Sequence, residues 1–419
     1  MSQPVGTSLS NNYRWNFGAF LVDYAFFGLA FTFVDVSTVM PAFVGQLTNS
    51  APIIGLVGTV FNGGWLLPQL AAARYINDKP RKKPYLLAGL GGRIFFGVIA
   101  AALWAGLPRR PTPMLVLFFT CLGLFAVADG FTSVSWFDIL ARAIPLKQRG
   151  RLMGTAQFII GAAGIGVGVL VSVILARCTF PDNYAWLFTL ASVALVPSAL
   201  ALIFLREPQP DDAGRNADGR EKDGWWKLLV TDPVFRRLMI CHVLVGMIGL
   251  ANSFYVVHAA DVLRLPQSVI GNFVAAQTLA RIVASIVLGW VSERWGPRYV
   301  IRIGGAAAVA GPLFALFVHL VGGGSLAWAY PFVYVTLGIV NNSWMLGFFN
   351  YLLEIAPDGM RPAYVGLGNT IMGALTLAPM AGGWLLEATS YSVLFGLTAA
   401  IVALGFLFTL RLKPAWRGG

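Results

Sequence analysis

The chain has 419 residues, of which 57% are hydrophobic and only 11% are charged, and its mean hydropathy is +0.71. This composition excludes a soluble globular protein of that length and indicates a polytopic membrane protein. The formal net charge is +12, but the basic residues lie in short loops between apolar runs, so the charge reports membrane topology and does not predict nucleic-acid binding.

Apolar runs long enough to cross about 30 Å of hydrocarbon as α-helices occur twelve times along the chain. Their predicted limits are 15–44, 51–74, 84–106, 113–141, 150–176, 184–205, 234–262, 267–292, 298–322, 326–355, 362–387 and 391–411. The sequence therefore predicts an all-α membrane protein with twelve transmembrane helices, six on each side of a central polar stretch.

That polar stretch runs from Arg206 to Asp232 and holds twelve charged residues in twenty-seven. Its first half is too polar to fold alone, so we interpret it as a linker. The predicted parts are an N-terminal half, 1–205, a cytoplasmic linker, 206–232, and a C-terminal half, 233–419. Asp232 and Pro233 are typical of an N-cap and a first helical residue, and predict that the second half starts there.

The two halves contain a short repeat with an offset of 212 residues, which predicts pseudo-symmetric six-helix bundles. Phe137, Leu140, Pro145, Arg149, Gly154 and Gly161 correspond to Phe349, Leu352, Pro357, Arg361, Gly366 and Gly373. Loops on the side of the linker and both termini carry 24 Lys and Arg residues, and the opposite loops carry 4. The positive-inside rule then places both termini in the cytoplasm, in a protein of the inner (plasma) membrane.

This organisation resembles the major facilitator superfamily, whose signature loop between spans two and three is repeated between spans eight and nine. The second copy here is Gly289, Glu293, Gly296 and Arg298. The first is reduced to Asp78, Arg81, Lys82 and Lys83. The resemblance implies the major facilitator fold, with spans one, four, seven and ten around a central cavity.

The same resemblance implies gating contacts between these basic turns and acids at the inner ends of helices. The predicted gating residues are Asp78, Arg81, Asp138, Glu293, Arg298 and Glu354. The alternative is that the acids only cap helices or pair locally, as Asp138 could with Arg142 four residues later.

Ionisable residues deep in a membrane are costly and therefore point to function. Counting residues from the inner ends places Asp23, Asp129, Arg93 and Arg281 near the midplane, and Asp35 near the outer end of span one. We predict proton coupling at Asp23, Asp129 and Asp35. The alternative is a permanent Asp23–Arg93 ion pair that only holds helices together.

Polar and aromatic side chains on the cavity-lining spans are candidates for binding a substrate. They are Tyr24, Asn252, Tyr255, Asn341, Asn342, Trp344 and Arg281. Hydrogen bonding between helices is the alternative role for the amides, and a structural role is the alternative for Arg281. His242 and His258 are interpreted as satisfied or solvated histidines.

The predicted function is secondary active transport by alternating access: proton-coupled efflux of a small organic, amphipathic or cationic solute. Proton-coupled import, or a non-transporting assembly or lipid-handling role on the same fold, are the alternatives. No enzyme activity, cofactor, metal or nucleotide is expected, because the sequence has no phosphate-binding glycine loop and no histidine pair with metal-ligand spacing. The expected partners are a small-molecule substrate, protons and the lipid bilayer, around a monomer.

Overall fold

The computed structural model describes residues 12–77, 79–208, 227–322, 326–357 and 360–413. Within them, twelve helical spans are long and apolar enough to cross a membrane, which confirms the predicted number. We number them TM1 Tyr13–Phe33, TM2 Ala51–Ala73, TM3 Lys83–Trp104, TM4 Pro111–Ala143, TM5 Gln148–Arg177, TM6 Asp182–Ile203, TM7 Pro233–Asp261, TM8 Val269–Trp295, TM9 Pro297–Val321, TM10 Ala327–Ile355, TM11 Tyr364–Ala388 and TM12 Tyr391–Leu410. Most of the predicted linker lies outside the described residues, so its limits stay a prediction.

Several spans contain more than one helical segment. TM3 is built from Lys83–Leu90, the 3-10 turn Gly91–Arg93 and Ile94–Trp104. TM7 is built from Pro233–Gly246, Gly249–Asn252 and Phe254–Asp261. TM10 is built from the 3-10 turn Ala327–Ala329, Phe332–Ser343, the π-helical turn Trp344–Phe349 and Asn350–Ile355. TM11 is built from Arg361–Ala374, the 3-10 turn Leu375–Leu377 and Ala378–Ala388.

The remaining helices either extend a span or lie between spans. The helix of TM2 continues to Asn77, and that of TM5 begins at Leu146. The short helices between spans are Val39–Gly45, the 3-10 turn Leu107–Arg109, and Lys227–Thr231. The predicted cap of TM7 is confirmed, because the Asp232 carboxylate accepts hydrogen bonds from the backbone N–H groups of Val234 and Phe235 at 2.8 and 3.1 Å.

Helix pairing repeats between the two halves, as expected of pseudo-symmetric bundles. TM1 packs on TM6, TM2 on TM4 and TM3 on TM6, and the equivalent pairs are TM7 on TM12, TM8 on TM10 and TM9 on TM12. The halves meet through TM2 with TM11 and TM5 with TM8. The membrane faces are here called the linker side, where both described chain ends lie, and the far side.

Toward the far side, glycine residues allow the backbones of the two halves to pack directly against each other. A Cβ atom on Gly271 of TM8 would collide with the backbone of Gly168 in TM5, and one on Gly55 of TM2 would collide with the Pro379 carbonyl of TM11. Only glycine allows so close an approach. A hydrogen bond from Asn183 to Gln267, 3.2 Å, also joins the halves on the far side.

TM1 is shorter than its predicted limits, because the helix stops at Phe33 and resumes only at Val39. The Asp35 carboxylate accepts hydrogen bonds from the Ser37 N–H at 2.8 Å and the Thr38 hydroxyl at 3.1 Å. Such local side-chain bonds compete with helical ones. The prediction of one unbroken helix over 15–44 is therefore wrong. Asp35 lies in this break, just after the end of TM1 and before Val39–Gly45.

Candidate functional site

A buried polar cluster ties four spans of the N-terminal half together. Asp23 of TM1 is 4% exposed and pairs with Arg93 of TM3 at 3.0 Å. Ser198 of TM6 donates to the same carboxylate at 2.6 Å, and the indole N–H of Trp136 in TM4 donates to its other oxygen at 2.8 Å. The other end of the Arg93 guanidinium donates to Ser198 at 2.7 Å. The geometry thus matches the ion-pair alternative for Asp23.

Asp129 lies next to this cluster but forms no ion pair among the described residues. It is half-buried on TM4, with Trp65 of TM2 beside its side chain and the charges of Arg93 and Asp23 close by. The backbone of Trp65 packs directly against Gly130. Asp129 is therefore the predicted acid of this region that has no ion-pair partner among the described residues.

Polar groups from both halves converge at the break in TM1. The Asn252 amide of TM7 donates to the Ser37 hydroxyl at 3.3 Å. Arg281 of TM8 is close enough to Asp35 for their charges to interact, yet the two form no ion pair among the described residues. The phenol of Tyr334, on TM10, is also close enough to Asp35 to interact with its charge. We call Asp35, Asn252, Arg281 and Tyr334 the junction site.

The junction site contains polar atoms without protein partners. The Asn252 side-chain oxygen and the Tyr334 hydroxyl are buried and have no hydrogen-bond partner in the described part of the chain. Arg281 is half-buried and its guanidinium donates no hydrogen bond to a described residue. Buried polar groups in proteins are normally paired, so the two unpaired atoms make the junction site a candidate for binding a polar ligand.

Other predicted substrate residues lie elsewhere in the structure. Asn342 donates to the Arg281 carbonyl at 2.7 Å, which is the interhelical alternative. Tyr255 is buried against Phe395, with its hydroxyl beside Gly311 inside the C-terminal half. Asn341 is exposed, and the Trp344 ring lies 4.5 Å from that of His242.

Tyr24, on TM1, lies beside the buried cluster of the N-terminal half. Its hydroxyl accepts a hydrogen bond from the Gln157 amide of TM5 at 3.0 Å. Its ring lies 6.1 Å from that of Trp136, the residue that donates to Asp23. Tyr24 and the junction site therefore belong to different parts of the structure.

Two ion pairs on the linker side share Arg142, and one of them involves Glu207, a residue that the sequence did not single out. Arg142 donates to Asp138 at 2.6 Å, the local alternative, and to Glu207 at 3.0 Å. Glu207 also accepts from the backbone N–H groups of Lys82 and Lys83, at 2.7 and 3.1 Å, at the start of TM3. A carboxylate there is favoured by the helix dipole. The only sequence signal was its position directly after TM6.

We expect Glu207→Gln to loosen the linker side of the N-terminal half. The substitution removes the charge that contacts Arg142 and the N-terminus of TM3. A hydrogen bond to a charged group contributes about 1.5–3 kcal/mol to stability. Hydrogen exchange at residues 79–90 should become faster, and transport slower. Asp212→Asn, another acid of the linker, is the control, and equal exchange rates in both variants would contradict the role of Glu207.

The other predicted gating residues form no ion pairs among the described residues. Glu293 and Glu354 are exposed, and Arg298 stacks on the Tyr299 ring at 4.8 Å instead of pairing with Glu293. Arg81 is exposed, and Asp78 lies outside the described residues. Gly296 has a φ of +91°, which explains glycine at this turn of the second signature loop.

Two six-helix bundles packed against each other are an architecture shared by many membrane transporters. The family model for the Major Facilitator Superfamily matches residues 24–376, and the chain belongs to this family. It is therefore a multi-pass membrane transporter and not an enzyme.

Two curated relatives are similar over much of the chain. An uncharacterized protein of Mycobacterium tuberculosis is 23% identical over 309 residues, which are 71% of this chain and 59% of that protein, so the match spans less than two thirds of the relative's length. A gentisate transporter of Corynebacterium glutamicum is 25% identical over 412 residues and 88% of each chain.

A solved structure with the same fold is a bacterial homologue of the iron transporter ferroportin in an inward-facing state. It has a TM-score of 0.72 at 13% identity and covers 94% of this chain and 98% of its own. The outward-facing state of such a homologue gives a TM-score of 0.61.

Proposed function

We propose that the protein is a proton-coupled secondary transporter that carries a small organic acid through the junction site. The observation that carries this proposal is Arg281, a half-buried arginine between the two halves whose guanidinium donates to no described side chain. An arginine in such a place binds a carboxylate through two parallel hydrogen bonds.

The surroundings of Arg281 support a carboxylate that also carries hydroxyl groups. Asp35 accepts hydrogen bonds from its own turn and leaves Arg281 without a direct partner. The unpaired Asn252 oxygen can accept a hydroxyl, and the unpaired Tyr334 hydroxyl can donate or accept. The Tyr334 ring stacks on Phe273 at 4.4 Å, which places an apolar aromatic surface behind these groups.

The gentisate transporter among the relatives is consistent with this chemistry, because gentisate is an aromatic carboxylate with two hydroxyl groups. The sequence-based expectation of an amphipathic or cationic solute depended in part on counting deep acids. Asp23 is neutralised by Arg93, and Asp35 is held by its own turn. Those contacts favour an anionic substrate.

Proton coupling is assigned to Asp129, the acid beside the Asp23–Arg93 pair that forms no ion pair among the described residues. Protonation there changes the net charge of the N-terminal half next to Arg93 and so biases the packing of TM2 and TM4. We keep the predicted cytoplasmic termini and the predicted efflux direction. Import with the proton gradient is the alternative.

Transport in proteoliposomes tests the substrate class. We expect gentisate to be carried with a proton gradient, whereas tetraphenylphosphonium, a lipophilic cation, is not. Arg281→Gln should weaken gentisate binding about 10- to 150-fold, the loss of one charge-assisted contact. Arg177→Gln, an exposed arginine at the end of TM5, is the matched control. Normal gentisate exchange by Arg281→Gln, or transport of the cation alone, would contradict the proposal.

A further inference from the structure

Two histidines that are 61 residues apart form a hydrogen-bonded pair on the far side of the C-terminal half. His258 Nε2 of TM7 lies 3.1 Å from His319 Nδ1 of TM9, and His258 Nδ1 lies 3.0 Å from the Tyr330 hydroxyl. The Tyr330 hydroxyl in turn donates to the Tyr255 carbonyl at 3.1 Å. His258 and Tyr330 are fully buried. The sequence predicted only that His258 would be satisfied or solvated.

Counting hydrogens fixes the tautomer of both rings. The single hydroxyl hydrogen of Tyr330 is used on the Tyr255 carbonyl, so His258 must donate to Tyr330 from Nδ1. A neutral His258 then accepts at Nε2, and His319 must donate to it from Nδ1. His319 Nε2 is therefore the one unprotonated nitrogen of the pair that has no partner among the described residues.

His319 borders a cavity of about 430 Å³ between the two halves. Its lining includes Asp261 and Glu387, and no Lys or Arg is among the described lining residues. Thr48 and Asn49 come from the N-terminal half, so the cavity spans the far-side junction. A cavity lined by acids without basic residues among the described lining attracts cations and protons.

We propose that His319 Nε2 is a proton-binding site that reads the pH of the far side. One proton there turns the bond from His319 to His258 into a charge-assisted hydrogen bond, which is stronger than a neutral one. His258 itself cannot take a proton without placing two N–H groups against each other. The pair therefore binds one proton and gains strength from it.

The pair is connected to far-side closure through the last segment of TM7. His258 lies on Phe254–Asp261, which packs against Val39–Gly45 of the N-terminal half. The histidine network anchors this segment to TM9 and to the start of TM10. A proton that strengthens the network stabilises the arrangement closed on the far side, so acid on that side should favour closure.

The other titratable groups around the pair are two phenols and two carboxylic acids. Tyr330 and Tyr391 contact His258, and phenols stay neutral between pH 5 and 8. Asp261 and Glu387 are acids of the cavity lining. Phe395 and Phe273, which pack on the cluster from TM12 and TM8, do not titrate. His319, whose Nε2 has no partner among the described residues, is the group whose protonation would strengthen the bond to His258.

The first test is nitrogen NMR of the full chain in lipid nanodiscs with labelled histidine, which is simple because the chain has three histidines. At pH 8 both His258 and His319 should carry their hydrogen on Nδ1. On acidification His319 should become doubly protonated while His258 stays singly protonated. A His319 hydrogen on Nε2 at pH 8, or equal titration of the two rings, would overturn the assignment.

The second test measures closure directly, with spin labels on Asn49→Cys and Thr389→Cys across the cavity and Cys178→Ser in the background. Lowering the pH from 8 to 5.5 should shift the distance distribution toward the short, closed population. His319→Gln, which can still donate to His258 but cannot titrate, should lose this shift, and His242→Gln should keep it. A shift that survives His319→Gln, or that disappears with Asp261→Asn or Glu387→Gln instead, would refute the proposal. Neither test requires a known substrate.

Discussion

Replacing Asp23 by Asn is expected to lower the free energy of unfolding by about 3–5 kcal/mol, because it leaves the buried Arg93 without its charge partner. Arg93→Gln should cost a similar amount, since Asp23 would then be the unpaired charge. The double variant should recover most of the loss, as neither charge remains. Reversible unfolding in detergent micelles measures all three variants.

Asp182→Asn, an exposed acid at the start of TM6, is the control and should have little effect on stability. Proton-driven gentisate transport is measured beside unfolding. A destabilised Asp23→Asn protein that still couples flux to protons supports the structural role of Asp23. A stable variant without coupled flux would instead restore Asp23 as the proton site.

Replacing Asp129 by Asn is expected to reduce proton-driven flux at least about tenfold, equivalent to about 1.4 kcal/mol of lost driving interaction, while gentisate exchange without a gradient continues. Asn has nearly the same size and keeps a hydrogen-bond acceptor for Trp65, but it cannot bind a proton. Flux with and without a pH gradient in proteoliposomes separates the two activities.

Asp138→Asn is the matched control, because it also removes an acid of TM4, one that pairs locally with Arg142. Asp138→Asn should keep the response to the pH gradient. If both variants lose gradient-driven flux equally, or if Asp129→Asn keeps it, the proton site lies elsewhere.

The twelve spans could be predicted because a helix in lipid must be both long and apolar, and this pattern is local in the sequence. The depth of Asp23 and Arg93 in the membrane could also be estimated by counting residues along their helices. An ion pair between them was therefore one of the two roles predicted for Asp23, beside a proton site. The contacts of Trp136 and Ser198 with Asp23 could not be predicted, because they depend on how TM4 and TM6 are rotated about their axes.

The residues that cause the break in TM1 are visible in the sequence, but the segment was predicted to be helical. Asp35, Ser37 and Thr38 can hydrogen-bond to one another and to the backbone, but the apolar residues around them favoured an unbroken helix. The His258–His319 pair had no local signal at all, because it depends on the packing of TM7 against TM9. Long-range contacts of this kind require the assembled bundle.

The glycine-lined crossing of TM5 and TM8 acts as a fulcrum. Toward the linker side of this crossing, Gly161 packs closely against the Ile282 side chain. From Ile282 to Trp295 the helix forms a lever arm of about 20 Å, at ~1.5 Å per residue. A rigid-body swing of about 15°, a size known for subunit rotations, moves its tip by roughly 5 Å. Larger side chains at Gly161 or Gly168 should therefore act as a wedge that restricts the swing and leaves the Arg281 pocket intact.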